Sequence, residues 1–111
     1  MPNQIDAAFA ALADPTRRAV VERLGSGPAS VSTLADGFTM AMPSFLQHVR
    51  VLENAGLVRT EKQGRVRTCT LEPLALAAVE QWIIERRRAT EARYDRLAKF
   101  LDAQDQENDH G

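Results

Sequence analysis

The stretch Pro43-Ser44-Phe45-Leu46-Gln47-His48-Val49-Arg50-Val51-Leu52-Glu53-Asn54-Ala55-Gly56-Leu57-Val58 decides the fold. Pro43 suits the first position of a helix, because its missing N–H would have no partner there. Phe45, Val49 and Leu52 follow at spacings of four and three, which puts them on one apolar stripe. Gly56 sits where a left-handed helix cap is expected. The period then changes. Residues 57–63 and 65–71 are two short runs rich in Val and Thr around Gly64, and they predict a β-hairpin.

Upstream, residues 5–12 read as a short helix with Ala8, Phe9 and Leu12 on one side. Asp14-Pro15 restarts the chain, with Asp as cap and Pro at the first helical position. The second helix reaches about Leu24, turns Ala19, Val20 and Leu24 inward, and stops at Gly25-Ser26-Gly27-Pro28. Ser32 is a candidate cap for a third helix carrying Leu34, Ala35 and Phe38, and residues 39–42 form a short link. Downstream, Glu72-Pro73 opens a long helix to about Leu101.

Two helices joined by a short turn make a helix-turn-helix, and a hairpin directly after the second is a wing. The expected fold is mainly α: a winged helix-turn-helix with a two-stranded β-wing and long N- and C-terminal helices. Residues 1–101 form one domain, and 102–111 are an acidic tail too poor in apolar residues to order itself.

A chain of 111 residues fits one domain. No run approaches the roughly 18 apolar residues of a membrane span, and no signal peptide is legible. The single cysteine, Cys69, excludes an internal disulfide, and a reducing cytoplasm is the simplest compartment. The net charge of −1 is unhelpful as a sum. Setting aside the tail acids Asp102, Asp105, Glu107 and Asp109 leaves 14 basic against 11 acidic residues. The basic ones gather at 59–67 and 86–99, and a local patch is enough to meet phosphates.

A helix entering the major groove keeps its apolar stripe on the core and turns polar groups outward. The fourth helix offers Ser44, Gln47, His48 and Arg50. Ser44 and Gln47 share a face near its start, and Gln47 can pair with adenine. His48 and Arg50 are better placed for phosphates or flanks. Lys62, Gln63, Arg65 and Arg67 gather at the hairpin tip, with Arg65 and Arg67 on one side of the strand. Together with Ser32, Thr33 and Pro43 at the starts of the third and fourth helices, these are the candidate DNA contacts. Each has a plainer reading as a solvated polar group, and a basic hairpin also protects its own edge from aggregation.

The chain resembles the ArsR/SmtB family of bacterial winged-helix repressors. The resemblance is carried by Leu12-Ala13-Asp14-Pro15-Thr16-Arg17-Arg18, by residues 43–58, and by Lys62-Gln63-Gly64-Arg65, and covers roughly residues 5–100. It implies a homodimer joined by the first and last helices on a two-fold operator, with repression relieved by an inducer or a modification. The long helix points the same way. At 1.5 Å per residue it spans roughly 40 Å, more than the remaining body can cover, so its apolar residues need a partner. The candidate interface is Phe9, Leu12, Val79, Trp82, Ile83, Tyr94, Leu97, Phe100 and Leu101.

The sequence departs from the family in two places. Metal-sensing members carry a cysteine pair where this chain has Ser30 and Ser32, and hydroxyls lack thiolate softness. Residues 73–101 contain no His or Cys; the two histidines are His48 and His110. No metal site and no cofactor are expected. Many relatives also have a polar Ser-Gln pair before the proline, where this chain has Ala41-Met42, with Leu46 further on. These apolar groups either meet thymine methyls or pack onto the third helix, and packing is the preferred reading.

Cys69 is in phase with Leu71 and reads as a structural thiol rather than a redox switch. Trp82, Tyr94 and Phe100 read as core or dimer packing before an effector pocket. Arg86-Arg87-Arg88 reads as a solvated face or as cross-dimer ion pairs. No catalytic triad, phosphate-binding glycine loop or metal cluster is present, so no enzyme is expected. The function expected is a sequence-specific DNA-binding transcriptional regulator, a homodimeric repressor that does not respond to metals. The alternative is a winged-helix protein-interaction module with no DNA partner.

Overall fold

In the computed structural model, which describes residues 4–109, the order is α1 (Gln4–Leu12), α2 (Pro15–Leu24), β1 (Ala29–Ser30), α3 (Val31–Ala35), α4 (Met42–Asn54), β2 (Val58–Gln63), β3 (Val66–Leu71) and α5 (Pro73–Asp109). The described residues fall into two compact units, one ending at Val79 and the other beginning at Glu80. His110 lies outside the described residues.

The helix boundaries follow from local chemistry. Asp14, extended in backbone, accepts the Arg17 N–H at 3.0 Å and caps α2, with Pro15 behind it. Ser30 caps α3 by accepting the Thr33 N–H at 3.1 Å. The expected cap, Ser32, is therefore one residue inside the helix. α3 also stops at Ala35, short of the expected Phe38, so residues 36–41 form the turn. α4 ends in paired bonds around Gly56, which has φ +78°: Leu57 N–H reaches Leu52 O at 3.0 Å, and Gly56 N–H reaches Glu53 O at 3.0 Å. This is a Schellman cap, and its apolar partners Leu52 and Leu57 are both fully buried.

β2 and β3 pair antiparallel from Val58↔Leu71 to Gln63↔Val66. Gly64, with φ +62°, and Arg65 close the loop. Glycine at the first central position with a negative φ after it is the type II′ pattern, whose twist matches the strands. The sequence reading missed β1. Its two residues pair Ala29↔Cys69 and Ser30↔Thr68, giving a three-stranded sheet in the order β1-β3-β2. A two-residue strand has no period for pattern analysis to detect.

The core of the first unit is built from Ala8, Ala11, Val20, Leu24, Leu34, Phe45, Val49, Leu52, Leu57, Val58 and Cys69, with Ala75 and Val79 from the start of α5. Phe45 lies 5.4 Å from Phe38, ring centre to ring centre. α5 continues through the acidic residues to Asp109, past the expected end near Leu101. The tail has Ala103 as its one apolar residue, but its Asp, Glu, Gln, Asn and Ala do not break a helix, and no proline or glycine falls between 102 and 109. No helix among the described residues is long and apolar enough to cross a membrane.

Candidate nucleic-acid interface

The inner face of α4 is anchored by Phe45, Val49 and Leu52, and this leaves Pro43, Ser44, Gln47 and Arg50 exposed on the outside. These four candidate contacts are therefore open to solvent. Ser32 and Thr33 are also exposed, although the Thr33 hydroxyl accepts a hydrogen bond from Ser30 Oγ at 2.9 Å. Leu46 is 38% and Met42 42% exposed. Leu46 lines a cleft with Val49, Arg50 and Glu53 of α4 and Thr60 and Arg67 of the wing. It faces the wing base, where packing onto the third helix was expected.

The strand register divides the wing's charges. Val58, Thr60 and Lys62 face Leu71, Cys69 and Arg67 on one side of the ribbon. Near the base that side is core: Val58 and Cys69 are buried. Towards the tip it becomes the basic pair Lys62 and Arg67, directly opposite each other. Two cations so placed repel, and an anion between them relieves the repulsion. Arg67 Nη1 donates to Thr60 Oγ1 at 2.9 Å, and Thr60 in turn donates to Glu53 of α4, so the ribbon is tied to the reading helix. Arg65 lies in the turn rather than in the strand, with Gln63 beside it on the exposed tip. At the base, Arg59 pairs with Glu72 at 3.0 Å, so its charge is partnered although the side chain stays exposed.

His48 differs from its neighbours. Its side chain is 23% exposed, and its Nδ1 lies 3.1 Å from Arg17 Nη1 and 3.7 Å from Asp14 Oδ2. Asp14 has the capping role expected from the sequence, whereas the part played by Arg17 appears only in the fold. Arg17 donates through Nε to Ala11 O at 2.6 Å and through Nη2 to Ala10 O at 3.3 Å, closing the last turn of α1. No sequence signal joins residues 31 positions apart.

The chain holds no soft-metal set at the α3 start. Ser30 Oγ is committed to Thr33, and Ser32 is a helical hydroxyl, so the pair does not fit a thiolate-type site. Cys69 is fully buried in β3, and burial pushes its thiol pKa up. Among the residues expected at a dimer interface, Val79 is buried in the core of its own unit, and Leu12 is partly buried against that core. In the second unit Ile83, Tyr94, Leu97, Phe100 and Leu101 are between 43% and 67% exposed, and Arg86 lies over the Trp82 ring at 5.2 Å. Phe9 is 37% exposed on α1.

A helix-turn-helix with its polar face outward and a basic ribbon tied to it defines a winged helix-turn-helix DNA-binding protein. Residues 12–61 match a family of helix-turn-helix domains. Over 74 residues the chain is 46% identical to the HTH-type transcriptional regulator Rv2034 of Mycobacterium tuberculosis, covering 67% of this chain and 69% of that protein. It is 26% identical to the transcriptional repressor SdpR of Bacillus subtilis over 76 residues, 68% of this chain and 84% of SdpR. The crystal structure of the ArsR family transcriptional regulator RHA00566 superposes with a TM-score of 0.78 at 54% identity, covering 80% of this chain and 98% of that one. The chain belongs to the ArsR family of transcriptional regulators.

Proposed function

We propose that this regulator is a repressor that binds a two-fold operator as a homodimer and does not respond to metal ions. The observation that carries the reading is the coupling of α4 to the wing. Glu53, Thr60 and Arg67 join them, so Gln47 on the helix and Lys62 and Arg65 on the ribbon are presented together. Ser44 and Gln47 read base edges, Gln47 by a paired hydrogen bond to adenine. Arg50, Lys62, Gln63, Arg65 and Arg67 hold phosphates, while Ser32, Thr33 and Pro43 flank the groove.

The second copy is supported by the apolar residues of 80–109, which a lone helix leaves to water, with Phe9 of α1 as a further candidate. Paired recognition helices about 34 Å apart would meet successive major grooves. The committed Ser30 hydroxyl supports independence from metals. Repression is the activity named for SdpR. A cytoplasmic location suits a DNA-binding regulator with one buried, unpaired thiol.

The test is to select duplexes from a random pool with the purified protein. The selected duplex is then titrated in an ultracentrifuge, with zinc, nickel and an oxidant added in turn. The reading predicts a complex of two chains per duplex that metals do not release. A one-chain complex, metal-driven release, or no binding at low salt would each contradict it. No binding at all would favour a protein-interaction module, which the half-exposed Met42 and Leu46 would also suit.

A further inference from the structure

We propose that His48 is a positioning residue: through Arg17 it fixes the reading helix α4 to the end of α1, and it does not itself contact DNA. This rests on the DNA-binding reading above. The Arg17 guanidinium joins three elements at once. Nε and Nη2 hold the last carbonyls of α1, at Ala11 and Ala10, while Nη1 meets the His48 ring. The Arg17 backbone N–H is held by Asp14 Oδ2, so the arginine is fixed at its root as well as its tip.

The chemistry of the contact defines the ring's proton. A guanidinium has only donors, so the nitrogen facing it, Nδ1, accepts. The neutral ring then carries its proton on Nε2. Asp14 Oδ2, at 3.7 Å from Nδ1, is outside hydrogen-bond range in this arrangement. His48 stands one residue after Gln47 on α4. A shift of the helix at His48 is therefore a shift of the base-reading side chain, and hydrogen bonds to base edges fail over fractions of an ångström. α1 is also the element that carries Phe9, so the same contact ties a candidate dimer surface to the reading face.

Two substitutions separate positioning from direct contact. The amide of His48→Asn places a polar atom where Nδ1 sits, so it keeps an acceptor for Arg17. The amide of His48→Gln reaches the Nε2 position, so it keeps an outward group and loses the acceptor. Affinity for a selected duplex should stay within about threefold of the parent for His48→Asn and fall about tenfold for His48→Gln, the loss of one weak hydrogen bond in each of two protomers. The reverse order, or equal losses, would overturn the inference.

A DNA-free readout accompanies it. Long-range ¹⁵N spectra at about pH 8, above the ordinary histidine range, should show His48 almost wholly as the Nε2–H tautomer, and Arg17→Lys should relax it to the mixture of a free imidazole, in which Nε2–H is only the commoner form. A ring protonated at Nδ1, or no change in Arg17→Lys, would equally overturn it. Failure of the parent to bind any duplex is a separate outcome that removes the DNA-binding reading, because the tautomer experiment decides the Arg17–His48 contact without DNA.

Discussion

Phe45 and Gln47 are two residues apart on α4 and face opposite ways, so replacing each by alanine should damage different properties. Phe45 has no exposed surface and its ring lies against Phe38 at 5.4 Å. Truncating a buried phenylalanine costs about 3–5 kcal/mol, and loss of the aromatic neighbour pushes the cost towards the upper end. Domains of this size have roughly 5–15 kcal/mol in total. For 60–100 residues each kcal/mol is worth about 4–8 °C in melting temperature, so Phe45→Ala should melt at least about 12 °C below the parent.

Gln47 is exposed. Gln47→Ala should leave stability within about 0.5 kcal/mol and weaken discrimination for the selected duplex by about 1–3 kcal/mol. Thermal unfolding by circular dichroism at fixed protein concentration gives the first number, and fluorescence anisotropy against matched and mismatched duplexes gives the second. If Phe45→Ala melted within about 4 °C of the parent, about one kcal/mol at this size, or if Gln47→Ala were the more destabilising change, the assignment of inner and outer faces would be refuted.

Cys69 is buried with a raised pKa, so a thiol reagent should react with the native protein only as fast as the protein opens; rapid labelling would contradict a structural role. The Asp14 carboxyl is held below its ordinary 3.8, first by the Arg17 N–H. Its contribution is therefore present above that value and lost as pH falls through the lowered one. Asp14→Ala should melt earlier than the parent at neutral pH, and the gap should close in strong acid; a gap independent of pH would contradict this. Thr60→Val cuts the link between Glu53 and Arg67, so duplex affinity should fall several-fold with base preference unchanged, as read by competition titration.

The helix-turn-helix and wing were legible because their signals are local. The 4-3 spacing of Phe45, Val49 and Leu52, the caps at Asp14 and Gly56, and the turn glycine Gly64 each act within a few residues. What escaped depends on distance or on brevity. β1 exists because Ala29 and Ser30 lie beside Cys69 and Thr68, and its pairing moves the α3 cap from Ser32 to Ser30. Val79 looks like its apolar neighbours on α5, but only the fold reveals that the first turns of that helix complete the core. On the reading face, the outward set Ser44, Gln47 and Arg50 followed from periodicity. The withdrawal of His48 towards Arg17 and Asp14 did not, because it joins α4 to the α1–α2 junction.

The central claim is that the wing of this ArsR-family regulator holds a DNA backbone beside the reading helix. The most direct measurement is the salt dependence of duplex affinity for the parent and for Arg65→Ala. Each phosphate neutralised contributes about 0.9 to the slope of log affinity against log salt. A dimer presents Arg65 twice, so Arg65→Ala should lower the slope by about 1.8 and weaken binding to all sequences alike. An unchanged slope, or a parent that binds without salt dependence, would contradict the account.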